Sequence, residues 1–365
     1  IKVNLVIKKS FKKLSFILLV ILLTYIGLYT YKQIINKEDK EDIGFANATP
    51  IKSNQFVCEA NNYECVKNII IAMNSSKKNV LLFGNSQMGA INQFSKGEIN
   101  YANQLSLEIN QIKGNPPLVR SIWMPNATLA EFKEIYSAMR QCPTRIDNLV
   151  LPLFLDDMRE QSIRDSIKNY SSNICEKFKI SSNPSNNIVI KENNKSNSDI
   201  LDKRILKTVP VLKDIKSINL HLRVFLYQFR NSILGIKASS KRKIVPTAYK
   251  FNLEALKNII DSRESNGYKT IIYIPPLLNF ASGKDIPYFK DDYLNYKKEM
   301  KNICQKGKCS YFDLDSIIPD NLWGYKDSTS FNRNKKEIDF MHFTYNAHKL
   351  LSERLNIILT NQINK

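Results

Sequence analysis

Three residues near opposite ends of the chain have the types and spacing that acyl chemistry needs. Asn79 to Phe83 (NVLLF) is a short apolar run of strand character, and Gly84-Asn85-Ser86-Gln87 follows it at once. Ser86 therefore stands where a buried strand turns into a helix. That position aims a hydroxyl at a crevice and brings free backbone N–H groups beside it, as a developing oxyanion requires. Serine there is also the ordinary N-cap residue, and the run by itself says no more than that. Near the C-terminus, Asp339-Phe340-Met341-His342-Phe343-Thr344-Tyr345-Asn346-Ala347-His348 places an Asp three residues before a His, ahead of a helical stretch. A carboxylate so placed can hold one ring nitrogen while the other serves as a general base. A lone His is more often a packing or surface residue, and the chain has only three. His348 reads as a packed or surface residue of the last helix, and His221 has no assigned role. Ser86 and His342 are 256 positions apart, so only the tertiary fold can unite them.

The elements that must position these residues alternate along the chain. Asn79 to Phe83, Leu118 to Trp123, Asn148 to Leu155, Thr270 to Ile274 and Ser310 to Leu314 read as strands. Helical patterns cover Ser86 to Phe94, Thr128 to Gln141, Leu253 to Ser265, Lys290 to Gln305 and Tyr345 to Ile358. Strand and helix in alternation imply a parallel sheet covered on both faces, with ligands bound beyond the carboxyl ends of the strands. Residues 32 to 56 are polar and mixed in charge and read as a tether, with the domain starting near Val57. Ser181 to Lys203 is rich in Asn, Ser and Lys and reads as a surface insertion.

The strand followed by Gly-Asn-Ser-Gln resembles the first block of the SGNH/GDSL hydrolase superfamily, and Asp-x-x-His followed by a helix resembles its last block. The likeness runs from Asn79 to the C-terminus, with an insertion at about 160 to 250. It implies a flavodoxin-like three-layer α/β/α sandwich with a parallel sheet, an ester hydrolase or acyltransferase activity, and no cofactor. Carried over, Ser86 is the nucleophile, His342 the general base and Asp339 its orienter. The middle blocks depart from the pattern. Where the family has an oxyanion-hole Gly, this chain has Met124-Pro125-Asn126-Ala127-Thr128. Where it has Gly-x-Asn-Asp, this chain has Phe154-Leu155-Asp156-Asp157, with Asp156 at the Asn position. An amide donates to an oxyanion, whereas an ionised carboxylate repels one. Either Asn126 donates beside the Ser86 N–H, or a cation such as Arg159 pairs with Asp156, or the hole is degraded; the first is preferred. The altered block favours a specialised acyl transferase or an inactive relative over a generalist esterase.

Of 365 residues, 54 are Lys or Arg and 34 Asp or Glu, a formal charge of +20. A hydrophobic fraction of 43% excludes a fully disordered chain, and the charge invites a nucleic acid, an anionic membrane or an acidic polymer as partner. Leu14 to Tyr31 is an uncharged run of 18 residues behind Lys2, Lys8, Lys9, Lys12 and Lys13. It reads as a transmembrane signal anchor with residues 1 to 13 cytoplasmic and the main domain exported. A cleaved signal peptide is the alternative, but the nearest small-x-small triplet, Ala46-Asn47-Ala48, lies well beyond the apolar run. Residues 206 to 250 carry ten Lys or Arg against Asp214 alone, on an amphipathic helical pattern that suits an anionic surface. Export and the lack of any nucleic-acid motif argue against DNA or RNA. Six cysteines, Cys58, Cys65, Cys142, Cys175, Cys304 and Cys309, read as disulfides; Cys58 with Cys65 and Cys304 with Cys309 can close small loops, leaving Cys142 with Cys175. A metal site is not expected, because no Cys-x-x-Cys occurs and histidine is scarce. The expected substrate is an acyl, chiefly acetyl, ester of an envelope or extracellular glycan, and the rival reading is an inactive glycan-binding or assembly subunit.

Overall fold

Six parallel strands form the central sheet, in the order β2-β5-β3-β6-β7-β8. They are β2 Val57–Glu59, β3 Asn79–Gly84, β5 Leu118–Trp123, β6 Asn148–Pro152, β7 Lys269–Ile274 and β8 Ser310–Asp313. A computed structural model describes residues 48–74, 78–111, 116–168, 170, 226, 228–236, 240–278, 287–326, 329 and 336–363. The elements named here lie in one unit, residues 45–187 and 228–365; of the other, residues 1–44 and 188–227, only residue 226 is described. Every residue of β3 and β6 is buried, which accounts for their unbroken apolar runs: strands covered on both faces have no solvent side on which to alternate.

Among the described residues, the helices used below are α1 Tyr63–Ala72, α2 Ser86–Gly89, α3 Tyr101–Asn110, α4 Leu129–Arg140, α5 Asp165–Lys168, α6 Pro246–Glu264, α7 Lys290–Ile303 and α8 Tyr345–Ile363. Helix α3 packs on α8, and α4 packs on α6. The step from β3 to β5 runs one way across the sheet and the steps through β6 and β7 run the other. Right-handed crossovers therefore place those two helix pairs on opposite faces, giving three layers. The order β5-β3-β6-β7-β8 reverses direction at β3, the point at which doubly wound sheets open a crevice. Phe83 of β3 stacks on Phe132 of α4 at 4.9 Å.

Two antiparallel ribbons lie outside this sheet: β1 (Ala48–Pro50) with β4 (Ala90–Asn92), and β9 (Trp323–Lys326) with β10 (Glu337–Phe343). They change several expectations. The helix expected from Ser86 to Phe94 is a single turn, because Ala90–Asn92 leaves it to pair with β1. Residues 48–56, read as tether, begin with a paired strand. Asp339 and His342 stand just ahead of helix α8 as expected, but they do so on a strand, β10, that local periodicity did not indicate. Helices α1 and α3 were not anticipated. The single turn and the ribbons are short and depend on pairing with distant segments that local periodicity does not register.

Disulfides join Cys58 to Cys65 and Cys304 to Cys309, and Cys142 is also disulfide-bonded. Cys175, residues 1–13, the apolar run 14–31 and residues 206–225 lie outside the described residues. Among the described residues no helix is long and apolar enough to cross a membrane. Within the basic segment, Phe229, Ile233 and Leu234 are exposed, so that stretch of the apolar stripe does not face the core.

Candidate active site

The turn after β3 is built by Asn85. Its backbone is extended and its side chain accepts from the Gln87 N–H at 3.0 Å, so Asn85, not Ser86, is the N-cap. Ser86 is thereby free of that task and sits 8% exposed. Three further bonds fix the turn. Gln87 Nε2 donates to the Pro276 carbonyl at 3.0 Å, Asn100 Nδ2 donates to the Met88 carbonyl at 2.7 Å, and Met124 N–H donates to the Gly84 carbonyl at 2.9 Å. Gly84 is required because a Cβ there would meet the Met88 side chain at 2.6 Å.

Strand β10 packs against α2 and carries the second half of the site. His342 Nδ1 lies 2.8 Å from Asp339 Oδ2. The other carboxylate oxygen, Oδ1, accepts the N–H groups of Met341 at 3.0 Å and His342 at 3.2 Å. Asn92 Nδ2, from β4, donates to Oδ2 at 3.3 Å. Burial pushes the Asp339 carboxyl up, but the His342 ring and the Met341 N–H outweigh it and hold the group below its ordinary value. An ionised Asp339 makes Nδ1 of His342 the donor, which leaves Nε2 to take up a proton. The sequence-selected Ser86, Asp339 and His342 thus fall on two elements in direct packing.

The other two blocks behave differently. Asn126 is exposed and has φ +50°, the left-handed region where a glycine is the ordinary occupant. Its carbonyl accepts from Arg164 Nη2 at 3.2 Å. Arg164 also donates to the Pro125 carbonyl at 3.0 Å and, through two nitrogens, to buried Glu131 at 2.7 and 2.8 Å. Glu131 closes a capping box with Thr128 at the start of α4, so one guanidinium ties the loop after β5 to the helix that follows it. Asp156 pairs with Arg159 at 3.0 Å and also with Arg242. Asp157 is buried, and its carboxyl accepts from the Asn85 side chain; burial, then the Asp156 charge, pushes it well above the carboxylate range. It therefore braces the turn that carries Ser86.

His348 is fully buried. It accepts from the Tyr101 N–H at Nδ1 (3.2 Å) and donates from Nε2 to the Ala90 carbonyl (3.2 Å). Burial lowers it to about 3, so it is a neutral packing residue. Asn92, Arg164 and Arg242 were missed in the sequence. Arg242 had a signal in the basic segment, whereas Asn92 had none, being one Asn among many. No group of metal-ligating side chains occurs among the described residues.

The sheet order and the helices on its two faces make an α/β sandwich with a central parallel sheet, as expected from the sequence. No family model matches the chain, and no curated protein does. Three solved structures that resemble it can be named. A protein assigned as an acylhydrolase from Bacteroides fragilis is 11% identical, with 83% of this chain and 97% of that one covered and a TM-score of 0.39. An acetyl-xylooligosaccharide esterase variant from Geobacillus is 9% identical, with 77% and 93% covered and a TM-score of 0.37. A protein from Streptococcus described as a platelet activating factor is 10% identical, with 81% and 92% covered and a TM-score of 0.35.

Proposed function

We propose that the protein is a serine esterase or O-acyltransferase. The observation that carries this is the 2.8 Å contact of His342 with a buried Asp339 on the strand packed against the Ser86 turn. Ser86 Oγ attacks the acyl carbonyl while His342 Nε2 takes its proton, and Asp339 stabilises the resulting imidazolium. The carbonyl π electrons move onto oxygen, and the N–H groups of Ser86 and Asn126 hold that oxyanion. Collapse expels the alcohol, which receives the proton from His342. The acyl-Ser86 ester then passes to water or to a sugar hydroxyl. The acyl group is acetyl and the carrier an envelope or extracellular glycan, reached from a membrane through residues 14–31.

A second reading keeps the fold and drops the chemistry, leaving a glycan-binding or assembly subunit. It is favoured by Asp156, a carboxylate at the position of the family's amide donor. A fluorophosphonate probe separates the two. Labelling of the full-length protein at Ser86, abolished by Ser86→Ala, together with release of alcohol from 4-nitrophenyl acetate, supports the enzyme. No label and no release from any ester probe removes it.

A further inference from the structure

Two cations lie against one aromatic ring beside the His–Asp pair. Phe340 follows Asp339 in β10 and is 6% exposed. Arg242 Cζ lies 5.1 Å from the centre of its ring and Lys326 Nζ 5.7 Å. Both cations are half-buried. Arg242 is anchored through its backbone, whose N–H donates to the Pro287 carbonyl at 2.8 Å. Its guanidinium joins Asp156, which also takes Arg159, so two guanidiniums share one carboxylate and a positive charge is left over. Lys326 has no ion pair among the described residues; Asp339, which feels its charge, is already engaged by His342, and Glu337, opposite Lys326 in the β9–β10 ladder, accepts from the Thr329 N–H and hydroxyl. Lys241 and Lys243 are exposed on either side of Arg242, and the chain carries no acid from 228 to 250.

The placement matters as much as the charge. Arg242 spans from the turn after β6, where Asp157 holds Asn85, to β10, which holds Asp339 and His342. Those two segments flank the Ser86 turn. Half-buried cations fixed by backbone and ring contacts, rather than swinging in solvent, select an anion over a neutral group and draw it to a defined spot.

We infer that the substrate is anionic: a carboxylate or phosphate of the acylated polymer sits between Lys326 and Arg242 beside Phe340 while its ester reaches Ser86. The second clause rests on the esterase reading; recognition of the anion does not. Full-length Ser86→Ala protein should be titrated by calorimetry with oligogalacturonate, with a glycerol phosphate oligomer and with a neutral xylooligosaccharide. One anionic oligomer, which identifies the source of the charge, is expected to bind at least about tenfold more tightly than the neutral one and to weaken with salt. Lys326→Gln and Arg242→Gln should each lose about tenfold, and Lys326→Arg should retain binding. If neither anionic oligomer binds better than the neutral one, the inference is overturned, even in a protein that hydrolyses 4-nitrophenyl acetate. If one does bind, in a lysine-dependent way, while wild-type protein turns over no ester and takes no label, the anion site stands and the esterase reading fails.

Discussion

Asp339 and His342 are three residues apart on one strand, yet Asp339 Oδ2 lies 2.8 Å from His342 Nδ1. In a regular strand residues i and i+3 point to opposite faces and cannot touch. The contact exists because the pairing of β10 with β9 shifts register between Ile338 and Phe343. Asp339 Oδ1 occupies the irregular stretch by accepting the Met341 and His342 N–H groups. The carboxylate thus shapes the backbone with one oxygen and orients the ring with the other.

Asp339→Asn removes the charge that holds the imidazolium but keeps an acceptor for the two N–H groups. Ester turnover should fall by about 10²- to 10⁴-fold with the fold retained. Rate measurement with 4-nitrophenyl acetate, beside a circular dichroism spectrum, checks this. An unchanged rate would show that the pair is structural.

Gly324 in β9 has no room for a side chain, because a Cβ there would fall on the Asn92 side chain. Asn92 bridges Tyr325, through its N–H and carbonyl, and Asp339. Gly324→Ala should therefore cost about 1–3 kcal/mol of stability. Kinetically it should lower kcat more than it raises KM, as should Asn92→Ala. Urea unfolding and steady-state kinetics of both variants give the comparison.

Acid should destabilise the protein in part through His348. Its folded value, near 3, lies below the roughly 6.5 of an unfolded histidine. The unfolded state therefore binds an extra proton between those limits. The stabilisation is complete above about pH 6.5 and is lost as pH falls toward 3. His348→Gln should be less stable at pH 7 yet lose less on acidification to pH 5. Denaturant midpoints of both proteins at the two pH values measure the slope, and parallel slopes would exclude His348 as the titrating group.

Arg263 is buried, and among the described residues no carboxylate is in bonding contact with its guanidinium. Its guanidinium donates to the carbonyls of Ile146 (3.1 Å), Asp147 (3.0 Å) and Lys269 (2.6 Å), and to Thr270 Oγ1 (3.1 Å). It joins the C-terminal end of α6 to the entry of β6 and β7. Arg263→Met, which strands those carbonyls, should cost about 3–5 kcal/mol in a denaturant titration.

The sequence by itself determined five of the six strands of the sheet, the four inner ones and the edge strand β8, because short runs rich in β-branched and aromatic residues mark a strand without help from distant segments. Leu118 to Trp123 matches its strand end to end. It also singled out Ser86, Asp339 and His342 as candidates, since Gly-Asn-Ser after a strand and Asp-x-x-His before a helix are local patterns. The tertiary structure decided what no local pattern carries. Asn92 and Asp339 meet across 247 positions, and Asp156 and Arg242 across 86. It also decided that Asn85 rather than Ser86 caps the turn, and that the Asp-x-x-His run is an irregular strand. Periodicity records the face a residue shows to the core within a few neighbours. Ribbon pairing, the β10 register shift and the clamp on Asp156 are contacts between segments whose closeness exists only after the sheet has formed.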